Sequence, residues 1–468
     1  MRLLRIPFIT LFIFAIQFSD AQATEKWTLE KCIDYALRNN LQVREAGITS
    51  RLSGADHLQS KLNLLPTIDA NVSYSDNFGS GLNAQTFTFA PGNSQDLQFQ
   101  LSANMPLFTG LQQIYNVQKA KYDFLATKYD YENAQKNIAL NVASSYLQIL
   151  LNQEIVKVAE KQKELTIAQH DIVQNKIKAG ALPEAAIYDV ESQMGRDEVN
   201  VVNAKNAVDL AILALEQILQ LKTEEEKTFV VDAPEVKADN MADIASLVAL
   251  DVYNYALMNQ PSIKSADARI MSANATQKIS YGGLSPTLAG FANISTSYFS
   301  QDQRVSKYDT LLVGGYPISL PAEYSKVPFS QELNNNFRQV VGLQLDIPLF
   351  SKGTKLINIQ KAKLQVQLRR LQLDDAKTQL RSDIETAYAN AKAAAGSYLA
   401  NKKSLEASQK AYQSTESRYK AGIASNFDLQ QAKDNLISAE SEMVKAKYTY
   451  VFRMKILDFY QGKAITLN

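Results

Sequence analysis

Catalysis or metal binding would require ionisable or nucleophilic side chains at workable spacing, and this chain is poor in them. It has two histidines, His57 and His170, and one cysteine, Cys32. Both histidines fall in helical patterns with no metal-ligand spacing around them. A nucleophile triad built on histidine is nearly excluded by that scarcity. Gly79-Ser80-Gly81 and Gly314-Gly315 lie in turn-rich segments and lack the Lys-Ser/Thr ending of a phosphate-cradling loop. No catalysis, metal, cofactor or nucleotide is therefore expected. Cys32, in "LEKCIDY", has no partner for an internal disulfide. It reads as a small packed residue of an amphipathic helix rather than as a lipid attachment point or redox centre.

With catalytic chemistry set aside, the elements themselves must carry the function. The chain has 468 residues, 49 Lys+Arg against 48 Asp+Glu. That balance gives no reason to expect nucleic acid or any strongly charged partner. With 18 Gly and 12 Pro, few for the length, long uninterrupted helices are possible. "MRLLR", an apolar run and "AQA" form a secretory signal peptide over residues 1–23, cleaved after Ala23. No later stretch approaches the roughly 20 apolar residues of a membrane-spanning helix.

The chain is written twice. "NMPLFTG" from Asn104 returns as "DIPLFSKG" from Asp346, and "IKAG" ending at Gly180 returns as "YKAG" ending at Gly422. Both pairs share one offset. "DYALRNNLQV" from Asp34 and "NYALMNQPSI" from Asn254 share a shorter one, as do the segments around Pro66 and Pro286. The second half therefore carries an insertion between Pro286 and Pro348, rich in Gly, Pro, Ser and Asn, which reads as a long loop. The expected organisation is a first repeat over 24–221, a linker over 222–246 and a second repeat over 247–468.

Each half has two segments alternating apolar and polar residues. Ile68, Ala70, Val72 and Tyr74 share a face, as do Leu97, Phe99, Leu101, Ala103 and Met105. Phe337, Gln339, Val341, Leu343, Leu345 and Ile347 form a third such face, and "TLAGFANISTSYF" is a less regular fourth. Strands with one apolar and one wet face suit a membrane barrel. Four strands cannot close one, and open edges are not tolerated in lipid, so the barrel must be shared between chains.

Two helices of about 69 and 68 residues are expected over Leu111–Ala179 and Thr354–Ala421, each roughly 100 Å long. Such helices must pack lengthwise as coiled coil. Gly180 and Gly422 end them, and shorter helices return over Glu184–Gln220 and Ser425–Tyr460. Each half also opens with a helix, Thr28–Leu62 and Leu247–Gly282. One full-length rod would thus lie beside two half-length rods in each repeat.

The tandem halves, paired strands, stacked helices, "PLFTG", "PLFSKG" and "RYKAGIASNFDLQQA" resemble the TolC family of outer-membrane efflux proteins. The resemblance implies an α+β membrane protein, mostly long α-helical coiled coil forming a periplasmic tunnel. The four strands would form one third of a 12-stranded barrel shared by a homotrimer in the outer membrane of a Gram-negative-type cell. It implies a passive export conduit working with a periplasmic adaptor and an inner-membrane transporter, which supplies the energy. The other reading is a periplasmic coiled-coil scaffold or adhesion stalk. Lys178, Gly180, Arg418, Gly422 and Ser425 would form the adaptor-docking tip. Tyr419 and Asp428 match two gate positions of the family, whereas Gln431 and Ala424 stand where a second Asp and an Arg would be. In a trimer, three Asp428 side chains would crowd like charges and raise some of their pKa values. Asp428 equally suits a helix-capping role after Ser425, and Tyr419 equally suits coiled-coil packing.

Overall fold

A computed structural model describes residues 26–82, 89–234, 247–463 and 465–466. The expected signal peptide and the second half of the expected linker lie outside these residues. In chain order the first half holds α1 (Leu29–Asn39), α2 (Leu41–Leu62), β1 (Thr67–Asn77), β2 (Ser80–Leu82), β3 (Phe89–Pro91), β4 (Ser94–Phe108), α3 (Gln112–Lys178), α4 (Ala186–Leu219) and α5 (Thr223–Glu226). The second half holds α6 (Ala249–Asn259), α7 (Pro261–Gly282), β5 (Thr287–Phe299), β6 (Gln303–Val313), β7 (Tyr316–Lys326), α8 (Phe329–Asn335), β8 (Arg338–Asp346), α9 (Thr354–Lys420) and α10 (Asn426–Tyr460). The order repeats as the sequence halves do. The compact units cut across those halves: one takes residues 1–44, 134–256 and 383–468, the other 45–133 and 257–382. Among the described residues no helix is long and apolar enough to cross a membrane.

The second unit holds an antiparallel sheet of order β1-β4-β5-β8. Its register aligns the alternation of every strand. One face carries rows such as Ala70-Leu101-Ile294 and Val72-Phe99-Thr296, with Leu288-Leu345 and Gly290-Leu343 towards one end. The opposite face carries Asn71-Gln100-Ser295-Arg338 and Ser73-Gln98-Ser297. Ile68, Val72, Val341 and Leu343 are all exposed, so the apolar face has no cover among the described residues. Gly342, which breaks the alternation of β8, lies beside Phe291. A Cβ at position 342 would meet that ring at 2.5 Å. The glycine therefore makes room for an aromatic side chain on the polar face.

Below the sheet, α2 and α7 flank the first part of α3. Gly47 and Gly54 of α2 sit against the rings of Tyr131 and Phe124, 3.2 and 3.3 Å from where a Cβ would be. On the α7 side Asp123 accepts from Ser272 and Asp130 from Ser265, both at 2.5 Å, and Arg269 pairs with Asp130 at 2.6 Å. In both pairings the contacts recur at seven-residue spacing, as lengthwise helix packing requires.

Four expectations need correction. The opening helices are not continuous. Asn40 leaves the helical region at ψ 130°, its Oδ1 accepts from Gln42 N at 2.9 Å, and α2 starts again behind it. In the second repeat Gln260 is extended and Pro261 takes the first position of α7, where its missing N–H costs nothing. The insertion expected as a loop is the hairpin β6–β7 followed by α8, with Gly314 and Gly315 at φ 67° and 85° supplying the tight turn. Finally, the two Pro-Leu-Phe joints differ. β4 runs through Pro106 to Phe108 with a bulge, whereas β8 stops at Asp346 before its Pro-Leu-Phe.

The first joint is also crowded. Gly110, at φ 62°, would place a Cβ 2.3 Å from the carbonyl oxygen of Gly282, and Gly282 would place one 2.4 Å from that of Gly110. Two backbones meet here without side chains between them. At the second joint Gly353 has φ 73° but nothing within 4 Å.

The other unit is built on the far part of α3, with α4, α10 and the far part of α9. In α9, Ile384, Ala387, Ala391 and Ala394 are buried at the 3-4 spacing of a coiled-coil seam. The start of the chain is tied in by its backbone. Trp27 N donates to Val230 O at 2.7 Å and Asp232 N to Trp27 O at 2.9 Å. The Tyr146 hydroxyl lies between the carbonyls of Trp27 and Asp232, 3.0 and 2.5 Å away. Tyr35 and Phe229 flank the Trp27 ring at 5.1 and 5.2 Å. Cys32 is fully buried, and burial pushes its thiol up to about 12, so it is a packed and unreactive residue.

Candidate functional site

Both long helices end alike. Gly180 adopts φ 71° and Gly422 φ 77°, the left-handed conformation that glycine accepts without strain. Gly180 N donates to Ile177 O and Ala181 N to Lys176 O, while Gly422 N donates to Tyr419 O and Ile423 N to Arg418 O. These paired bonds satisfy the last carbonyls of each helix in the same way. The restarts differ. α4 begins without a side-chain cap, whereas α10 begins with a full capping box. There Ser425 Oγ accepts from Asp428 N at 3.1 Å, and Ser425 N and Oγ donate to Asp428 Oδ2 at 2.9 and 2.7 Å.

Lys178, Gly180, Arg418, Gly422, Ser425 and Asp428 are all exposed around these turns. Within the chain the Ser425 donors, with a smaller contribution from Arg418, hold the Asp428 carboxyl below its ordinary range. Tyr419 stands apart from that exposed set. It is buried, the Lys176 ammonium lies 3.8 Å from its ring centre, and Lys176 also donates to its carbonyl at 3.3 Å. Its hydroxyl is sealed from water without a hydrogen-bond partner among the described residues. Ile423 and Phe427 are the largely exposed apolar side chains of the second turn.

Behind the turns lies a polar cluster that the sequence reading missed. Lys433 of α10 is 1 % exposed and donates to Thr166 Oγ1 of α3 at 2.7 Å. That hydroxyl in turn donates to Asp197 of α4, which also accepts from Gln162 and Gln193 at 2.8 Å each. Asp197 and Thr166 are fully buried. Burial depresses the Lys433 pKa, and Asp197 opposes that. The overlooked signal was spacing. Lys433 stands four residues after Leu429 and three before Leu436, both buried, so a charge occupies an apolar seam position. Gln169 adds a bond to Asn426 at 2.6 Å beside the turn.

The description "Outer membrane efflux protein" belongs to a family model that matches residues 32–220 and 252–457, one segment in each repeat. The chain belongs to the outer membrane efflux protein family. Its place is therefore the outer membrane and its role efflux. Among the family's curated members, the alkaline protease secretion protein AprF of Pseudomonas aeruginosa is 21% identical over 364 residues, 77% of this chain and 69% of AprF. Outer membrane protein TolC of Salmonella enteritidis is 22% identical over 350 residues, 72% of this chain and 63% of TolC. The fold matches the CmeC outer membrane channel of Campylobacter jejuni with a TM-score of 0.76 at 18% identity, covering 93% of this chain and 85% of that one. These relatives are secretion, outer-membrane and channel proteins, not enzymes.

Proposed function

We propose that three copies of the chain form one export conduit, a 12-stranded barrel in the outer membrane continued by a helical periplasmic tunnel. The observation that carries this is the four-stranded sheet, whose edges β1 and β8 are unpaired and whose apolar face is bare. Unpaired ladder groups are too costly to leave in hydrocarbon. An even strand number lets β8 of one copy pair antiparallel with β1 of the next. Two copies would give eight strands, with an interior filled by side chains or at most one small ligand, and a third copy widens it. A periplasmic scaffold or adhesion stalk would leave the apolar face in water and is not favoured. The test is a seminative gel of outer-membrane fractions. A heat-modifiable trimer is expected, and a soluble monomer in the periplasmic fraction would refute the conduit.

On the same reading the repeats 24–221 and 247–468 each supply half of one protomer's wall, joined by 222–246. The turns at Gly180 and Gly422, with Lys178, Arg418 and Ser425, receive a periplasmic adaptor, through which an inner-membrane pump delivers cargo. Asp428 narrows the tunnel, and Tyr419, packed under Lys176, supports that constriction from behind. Asp428 does so while capping α10, because its second oxygen and its exposure leave it free to act on ions. In bilayers, Asp428→Ala is expected to reduce cation preference and Tyr419→Phe to change conductance less. If Asp428→Ala leaves both conductance and cation preference at parental values, the gate assignment fails.

A further inference from the structure

The insertion in the second repeat contains an arrangement that transport does not explain. β8 pairs with β5 only as far as Ser295, leaving the last residues of β5 without a strand partner on that side. α8 covers them. Glu332 Oε1 accepts from Phe299 N at 2.5 Å, Thr296 Oγ1 donates to Leu333 O at 2.5 Å, and Asn336 Nδ2 donates to Ser297 O at 2.8 Å. Phe329 meets the Tyr298 ring edge-on at 5.1 Å. A carboxylate thus replaces the missing strand at Phe299. Glu332 is 2 % exposed, and its other oxygen, Oε2, is buried with no donor. A second acid, Asp302, on the turn between β5 and β6, is a charged neighbour of this carboxyl. Asp302 is held in place by its backbone, with N donating to Phe299 O at 3.0 Å and O accepting from Val327 N at 3.2 Å. The nearby Arg304 donates to Gln331 at 2.8 Å.

Two ionised carboxylates only accept, so this pair, Glu332 buried and Asp302 half-buried, lacks whatever should lie between its two members. We propose that Glu332 and Asp302 hold a divalent cation, Ca²⁺, which fastens the β6–β7 hairpin to the end of the sheet. Calcium accepts carboxylate, main-chain and water oxygens in flexible geometry, and sites of low charge count outside cells bind at about 10⁻⁴–10⁻³ M. Among the described residues no group of three or more acidic, His or Cys side chains could hold a metal, so water and main-chain oxygens would complete this one. The segment lies at the end of the sheet away from α3 and α9. On the outer-membrane reading that end faces the exterior, where divalent cations are available.

The test uses the full-length protein purified in detergent, stripped with chelator and titrated with CaCl₂ or MgCl₂ by calorimetry and thermal melting at neutral pH. Saturable Ca²⁺ binding of one ion per chain with a raised melting midpoint is expected. Asp302→Asn should weaken binding at least about tenfold, since even outer-shell partners of a metal site change affinity on that scale. Glu332→Gln should lose the Ca²⁺ response, with its amide able to donate to Asp302. Absence of Ca²⁺ binding by the parent, or equal binding by Asp302→Asn, overturns the proposal. So does a parent whose midpoint rises on acidification but ignores Ca²⁺, which would mean the pair shares a proton. A seminative gel of the same samples separates this result from the trimer: a Ca²⁺-responsive monomer would refute the conduit and leave the cation site standing.

Discussion

Gly110→Ala should eliminate the heat-resistant folded form in the outer membrane, while Gly353→Ala should retain most of it. Both glycines have positive φ and both follow a Pro-Leu-Phe, so the conformational penalty is shared at about 1–2 kcal/mol. Only the first meets another backbone. An alanine Cβ 2.3 Å from the Gly282 carbonyl oxygen is far inside contact distance, and neither partner is the end of a flexible side chain. The loss should exceed about 4 kcal/mol, the range reserved for defects of this kind. Gly282→Ala should share the clash but not the positive-φ penalty, because the approach is reciprocal and Gly282 is helical. Denaturant midpoints and folded yield for the three variants give the comparison. If Gly110→Ala proves no worse than Gly353→Ala, the close approach is not what the joint depends on.

Asp197→Ala should destabilise the tip-side helices by about 3–5 kcal/mol, the usual cost of leaving a buried charge uncompensated. Lys433 would keep its ammonium among α3, α4 and α10 with only the Thr166 hydroxyl to receive it. The double variant Asp197→Ala/Lys433→Met should recover most of the loss, since Met fills the seam without charge. Thermal melting of all three proteins checks this, and a double variant as unstable as Asp197→Ala would contradict it. The pH dependence has a definite sign. Burial lowers the folded pKa of Lys433 below the ordinary lysine value. Between the two pKa values the unfolded chain binds the extra proton, so this group makes stability rise with pH there. Lys433→Met should remove that rise.

What the sequence made legible was whatever leaves a periodic trace. Alternation at Ile68–Tyr74 and Leu97–Met105 located two strands, and offsets between Gly180 and Gly422 located both helical turns. Turn-forming residues misled in the insertion. Gly314-Gly315, Pro317 and Pro321 suggested loop, yet the glycines close a hairpin and the prolines sit in its second strand, β7. Breaks at Asn40 and Gln260 were hidden because apolar periodicity continues on either side. Their cause is local: at Asn40 the side chain bonds its own backbone neighbour. The role of Glu332 could not be read at all, because its partner is a main-chain N–H 33 positions away. At the tip, Asp428 was legible as a cap from Ser425 alone. A packed Tyr419 was one of the two readings its position offered, but the Lys176 ammonium over its ring was not legible, since it comes from another helix.

The tie between Trp27 and Val230–Asp232 sets an order of events. A ribosome makes Trp27 about two hundred residues before its main-chain partners, so this earlier segment must wait for them. Contacts this distant in sequence close slowly, because the chain entropy of the intervening loop is lost before the bond forms. During that wait Trp27 and Leu29 expose apolar surface that is later buried. The early chain is thus a natural client for a holding chaperone. Its docking onto the finished first repeat marks the moment when that help is no longer needed.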